Sequence, residues 1–148
     1  HHWVIYRYAE TLLTYAESMV NAFNDVNYTD ETYKYSALWA INEVRKNADM
    51  PLIPSMGKED FLERLYNEWR VEFAFEDHRF WDVRRWKIAD TTQRELYGVK
   101  IEKQADGTFN FYKNLYETRN WRDCMYLYPI PQSELYKNTN LNPQNTGW

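Results

Sequence analysis

The segment Tyr66-Asn-Glu-Trp-Arg-Val-Glu-Phe-Ala-Phe-Glu-Asp-His-Arg-Phe-Trp-Asp-Val-Arg-Arg-Trp86 limits the possible folds of this chain more than any other stretch. It holds five acidic residues, four arginines and seven aromatic rings. Together with Arg64, the residues Glu68, Glu72, Glu76, Arg79, Asp82 and Arg85 recur three or four apart. That spacing places them on one slowly drifting stripe of a helix. Such a helix is too charged for an ordinary core and too aromatic for an ordinary surface, so its ions must pair while its rings anchor it to neighbours.

Two chemistries compete for the stripe. Glu68, Glu72 and Glu76 repel one another along a helix, and Arg64, Arg70 and Arg79 are the nearby counter-charges. Guanidinium forks on carboxylates orient strongly even where their net stability is small. The stripe is therefore read as a structural ion-pair network of Arg64, Glu68, Arg70, Glu72, Glu76, Arg79, Asp82 and Arg85 that ties helix to loop. The catalytic alternative takes Glu72 and Glu76 as the carboxylate pair of a glycosidase. A glycosidase general acid needs a raised pKa, and neighbouring arginines lower it. His78 stands two residues after Glu76, outside the i+3 or i+4 spacing that puts two metal ligands on one helix face. No Ser-His-Asp or Cys-His order stands out, and four glycines supply no phosphate loop. The reading is a non-enzymatic protein with no catalytic residue, no metal site and no cofactor.

The rest of the chain reads as mainly α. From Arg7 to about Phe23, Tyr8, Leu12, Tyr15, Ala16, Met19 and Phe23 keep the helical period. Ala9, Ala16 and Ala22 permit close approach of another helix. Thr29 or Asp30 is the expected N-cap of a second helix running to about Asn47. Tyr33, Ala37, Leu38, Ile41 and Val44 form its buried side, and Arg45 and Lys46 stand at its end. Pro51, Pro54 and Gly57 break the chain. A third helix runs from about Lys58 to about His78, and a turn or short helix continues to Ile88. These helix pairs resemble tetratricopeptide hairpins in architecture, without the 34-residue repeat pattern. After Asp90 alternating runs flank Gln104-Ala-Asp-Gly107, a β-hairpin signal. Pro129 and Pro131 make the following tail extended. The expected organisation is helical hairpins over 1–89, then a small β-hairpin and an extended C-terminal tail over 90–148.

Composition narrows the function classes. The net charge of −4 and the scattered Lys and Arg give no nucleic-acid footprint. Cys124 is the only cysteine, so no internal disulfide and no thiolate metal site can form. No apolar stretch reaches the roughly 18 residues that cross a bilayer. Aromatic residues make up 18% of the chain, and rings with polar edges suit half-wet surfaces that meet sugars or proteins. The stretch from Phe109 to Trp121 is read as an aromatic loop in which Phe111, Tyr112, Tyr116 and Trp121 are the candidate sugar-stacking residues; packing of the same rings onto the helices is the competing reading. His1-His2-Trp3-Val4-Ile5-Tyr6, without an initiator Met, reads as a start in the middle of a longer protein.

Four blocks carry a family resemblance. Arg7-Tyr-Ala-Glu-Thr-Leu-Leu-Thr-Tyr-Ala-Glu17 resembles the R-Y-A-E-x-L-L-x-Y-A-E helix of the SusD/RagB outer-membrane nutrient-binding proteins. Ala40-Ile-Asn-Glu-Val-Arg-Lys-Asn-Ala48 is similar to the A-x-N-x-V-R-x-R-A helix, with Asn47 where a second arginine is common. Residues 68–86 resemble E-x-R-x-E-L-A-F-E-G-x-R-x-x-D-L-x-R-W, with Asp77 where glycine is common. Tyr128-Pro-Ile-Pro-x-x-Glu-Leu135 and Asn140-Leu-Asn-Pro-Gln-Asn-Thr-Gly-Trp148 resemble the closing P-I-P-x-x-E-L and N-x-x-L-x-Q-N-x-G-[YW] pattern.

The resemblance covers only the C-terminal third of a family member and implies a mostly helical fold with tetratricopeptide-like pairs. It implies non-catalytic binding of an oligosaccharide, or of a peptide in the RagB branch. The partners it implies are a SusC-like TonB-dependent transporter and the missing N-terminal portion of the same protein, and no nucleic acid. The location it implies is the extracellular face of the outer membrane, with a lipid anchor on an N-terminal segment absent here. A helical module that only docks on the transporter is the alternative from another class. As a piece of a larger protein, the chain is expected to expose apolar surface at Trp3, Ile5 and Tyr6 and, when isolated, to aggregate, self-associate or stay bound to its missing half.

Overall fold

The computed structural model describes residues 5–148; His1, His2, Trp3 and Val4 lie outside the described residues, so the expectation for Trp3 does too. The element order is α1 (Tyr8–Phe23), α2 (Ala37–Asn47), α3 (Lys58–Glu72), α4 (His78–Arg85), α5 (Ala89–Thr92), β1 (Glu95–Lys103), β2 (Phe109–Thr118) and α6 (Gln132–Lys137). Single 3₁₀ turns lie at Asp123–Tyr126 and Thr139–Leu141. The mainly helical class with one small antiparallel hairpin matches the sequence expectation. The chain divides into two compact units, His1–Arg79 and Phe80–Trp148.

In the first unit, α1 packs against both α2 and α3. Its buried stripe is Leu12, Leu13, Ala16, Met19 and Val20, the i, i+1, i+4, i+7, i+8 pattern of a core-facing helix. Ala16, Ala37 and Ala40 are fully buried, whereas Ala22 and Tyr8 are exposed, contrary to expectation. The stripe is centred on Leu13, Ala16 and Val20, which leaves Tyr8 and Ala22 off it at the two ends. Asn24 closes the helix in the left-handed conformation, and its N–H bonds the Val20 carbonyl at 3.0 Å.

α2 starts later than the sequence suggests. Asp30 caps a tight turn instead, its Oδ1 accepting from the N–H groups of Thr32 (2.8 Å) and Tyr33 (2.7 Å). The helix begins after Ser36, whose Oγ accepts from Trp39 N–H at 3.1 Å. Tyr33 consequently sits outside the helix and is exposed, while Ala37, Ile41 and Val44 are buried as expected. Phe61, Leu65, Trp69 and Phe73 complete this core from α3 and its C-cap.

The charged run is not one helix. α3 stops at Glu72, Phe75 and Asp77 adopt positive φ of 67° and 63°, and α4 restarts at His78. Two left-handed residues cannot continue a right-handed helix. Asp tolerates this conformation better than most residues, and glycine tolerates it best.

The second unit buries only Val83, Ala89 and Leu135 among its apolar side chains. Its order comes instead from the hairpin ladder and from side-chain clasps. β1 and β2 pair antiparallel from Lys103↔Phe109 to Glu95↔Thr118, with a bulge beside Leu96 and Tyr97. Gly107, at φ 87°, makes the turn, and Gln104 N–H bonds the Thr108 carbonyl at 2.8 Å. After the 3₁₀ turn at Asp123–Tyr126 the tail is extended from Leu127 to Pro131 but then forms α6, which proline permits because a helix start has no use for its missing N–H.

Candidate functional site

The three glutamates of the stripe find their cations on other elements, whereas Asp82 finds one on its own helix. Arg7, at the N-cap position of α1, donates from Nε to Glu76 Oε2 (3.0 Å) and from Nη2 to Glu76 Oε1 (2.9 Å). The same guanidinium bonds the Glu72 carboxylate through Nη1 and the Glu72 backbone carbonyl through Nη2, and it lies 4.3 Å from the Phe73 ring centroid. The Glu76 hydrogen bond, more than any other contact, raises the Arg7 pKa; burial opposes this, and Glu72 adds to it. Glu68, almost fully buried, takes Arg45 of α2 at 2.6 Å, and Arg45 Nε also donates to the Pro51 carbonyl at 2.8 Å. Buried Asp82 takes Arg85 Nε at 3.1 Å on its own helix.

Arg64 and Arg70, expected to neutralise the stripe, are exposed and form no ion pair among the described residues. The i, i+4 rule identifies neighbours on one helix, and a carboxylate facing inward meets the next helix instead. Glu72 and Glu76 are thus two carboxylates sharing one guanidinium, an arrangement for holding α1 onto the end of α3. His78, at 3.9 Å from Glu10, lies beside Trp69 and Phe73 in a ring cluster.

The expected aromatic loop is mostly strand, and its candidates do not converge. Phe111 shares one face of the ribbon with Val99 and Ile101 by register, whereas Tyr112 points to the opposite face. Tyr116 lies at the bulge. All three are exposed. Trp121 is half-buried, edge-on to Tyr126 at 5.1 Å, with the Arg84 guanidinium 5.5 Å from its ring.

An open cavity of about 1350 Å³ in the second unit brings together residues that the sequence did not group as one site. One wall is the C-terminal clasp. In Tyr128-Pro-Ile-Pro131 the prolines have no N–H, so Ile130 has the only ladder donor after Tyr128. Gln144 satisfies it with a two-sided amide bridge: Ile130 N–H to Oε1 at 2.7 Å, and Nε2–H to the Ile130 carbonyl at 2.8 Å. Asn145 Nδ2 donates to the Tyr128 carbonyl at 2.6 Å, and Trp148 Nε1 donates to the carbonyls of Cys124 (3.0 Å) and Leu127 (3.1 Å). Gly147 lets the tail pass Cys124, since a Cβ there would meet Cys124 Cβ at 2.8 Å. The other wall carries Trp81, Arg84, Arg85 and Lys87. The exposed rings of Trp81 and Tyr128 stand 5.9 Å apart at 51°. The closing block of the sequence was the available signal for the clasp. No such signal joined Arg122 to Arg84, Arg85 and Lys87, because it comes from a distant position.

The SusD family matches residues 1–148 of the chain. The chain belongs to the SusD family. It is 32% identical to SusD-like protein P2 of Formosa agariphila over 96% of this chain and 25% of that protein. It is similar to the crystal structure of a SusD-like protein from Bacteroides fragilis, with 35% identity and a TM-score of 0.77 over 99% of this chain and 26% of that one. A SusD superfamily protein from Parabacteroides distasonis shares the fold at 23% identity and a TM-score of 0.61, over 99% of this chain and 27% of that one. This SusD-family chain thus spans about a quarter of the length of these relatives.

Proposed function

We propose that this chain is the C-terminal portion of a cell-surface protein that binds an oligosaccharide without cleaving it. The protein delivers the sugar to a SusC-like TonB-dependent transporter and is held at the outer membrane by a lipid anchor N-terminal to this region. The observation that carries the reading is the match of the SusD family over residues 1–148. The sharing of Arg7 by Glu72 and Glu76 supports a structural role for the carboxylates most suggestive of hydrolysis. In this reading the first unit is scaffold, and the exposed rings Phe111, Tyr112 and Tyr116 remain candidates for ligand contact, with Trp121 beneath them in rank because it is half-buried.

Calorimetric titration of the full-length protein against a glycan panel tests the claim, with co-purification of the transporter as its second arm. Saturable glycan binding with recovery of the intact sugar is expected. Tight peptide binding with no glycan binding overturns it in favour of the peptide-uptake branch, and release of shortened sugars overturns the non-catalytic role.

A further inference from the structure

The lining of the open cavity departs from the charge balance of the chain. The protein carries a net charge of −4, yet the cavity is lined by Arg84, Arg85, Lys87 and Arg122 against the single acid Asp123. Arg84, Lys87 and Arg122 form no ion pair with a carboxylate among the described residues, in contrast to Arg7 and Arg45 in the first unit. Two of these cations are held in place by rings. The Arg84 guanidinium lies 3.5 Å from the Phe80 ring centroid and donates to the Phe80 carbonyl at 2.8 Å, and Arg122 lies 5.3 Å from the Trp148 ring. Ring contacts fix a guanidinium without neutralising it, and its remaining N–H donors stay free for a carboxylate or sulfate. Beside them stand the exposed, mutually tilted rings of Trp81 and Tyr128.

From this juxtaposition we infer that the cavity is a binding site for an acidic saccharide, in which Arg84, Lys87 and Arg122 take the sugar's carboxylate or sulfate while Trp81 and Tyr128 stack on a pyranose face. The site rests on the oligosaccharide reading and narrows it from glycans in general to anionic ones. Exposed cations around a cavity raise the local concentration of an anion, and forked donors then fix its orientation.

The test uses the full-length protein and three probes: tetragalacturonate for the carboxylate, a sulfated dextran oligosaccharide for the sulfate, and maltotetraose as the neutral sugar. At least one acidic probe is expected to bind about tenfold or more tighter than maltotetraose, and the preferred arm identifies the anion. The paired substitution Lys87→Gln and Arg122→Gln, both at exposed positions, is expected to remove most of that preference. Saturating acidic probe is also expected to slow alkylation of Cys124, which lines the same cavity, in the unsubstituted protein. Equal binding of neutral and acidic probes, an unchanged preference in the double variant, or a Cys124 thiol indifferent to the probe overturns the inference and leaves the oligosaccharide reading standing. Failure of all three probes together with the wider glycan panel overturns both.

Discussion

Replacing Arg7 by Met tests whether the stripe of carboxylates is structural. The substitution keeps an unbranched stem of similar length over Phe73 and removes only the guanidinium. Four hydrogen bonds then disappear, two to Glu76 and two to Glu72. Hydrogen bonds to charged groups are worth about 1.5–3 kcal/mol each in favourable cases. They do not sum here, because the Glu72 and Glu76 side chains keep 19% and 36% of their exposure and can recover water. The expected loss is about 2–3 kcal/mol, including the repulsion restored between the two carboxylates. For a chain of this size that corresponds to a fall in Tm of roughly 4–12 °C. Calorimetric melting of the wild type, Arg7→Met and Arg7→Lys would measure it. Lysine keeps the charge but cannot fork between two carboxylates, so it should recover less than half of the loss. Neutralising both acids in the Arg7→Met background should restore part of the stability. A change below about 0.5 kcal/mol for Arg7→Met would refute the clamp and return Glu72 and Glu76 to the list of groups available for chemistry.

Arg45→Met should cost more than Glu68→Gln in urea unfolding, by about 1–2 kcal/mol, because it leaves a nearly fully buried carboxylate without its cation; equal costs would contradict that asymmetry. Gly147→Ala should loosen the tail over Cys124 and speed alkylation of that thiol several-fold, given φ 90° and a 2.8 Å approach, and an unchanged alkylation rate would show that the tail adapts. Gln144→Ala should raise hydrogen exchange at Ile130 N–H, which has no other hydrogen-bond partner among the described residues, and continued protection would refute the amide bridge. The Asp30 carboxyl lies below its ordinary value, chiefly because Tyr33 N–H donates to it and then because Tyr28 O–H does. A depressed folded pKa stabilises above the unfolded value and is lost as pH falls through the folded one, so Asp30→Asn should reduce the acid sensitivity of this turn, followed by Tyr28 fluorescence between about pH 5 and 2.

The sequence by itself determined the helices and the hairpin, and the family. Periodicity of three and four is a property of one helix and its neighbours in the chain, so α1 and the second half of α2 were legible from Leu12, Ala16, Met19, Ile41 and Val44. The Asp106-Gly107 turn was legible for the same local reason. What failed locally was decided by competition at element ends: Ser36 rather than Asp30 starts α2, and α3 ends at Glu72, short of the expected His78, with Phe75 and Asp77 left-handed before α4. The Asp82–Arg85 pair is local, but only the tertiary structure decided which cations the glutamates meet. Arg7 reaches Glu76 across 69 positions, and Arg45 reaches Glu68 across 23, because a carboxylate that faces inward meets whatever cation the packing of helices brings to it. The same holds for the cavity, where positions 81–87 and 122–128 converge through a tail whose clasp is set by two prolines and one glutamine amide. Local periodicity carries no record of such meetings, since they depend on the direction each element takes after its turn.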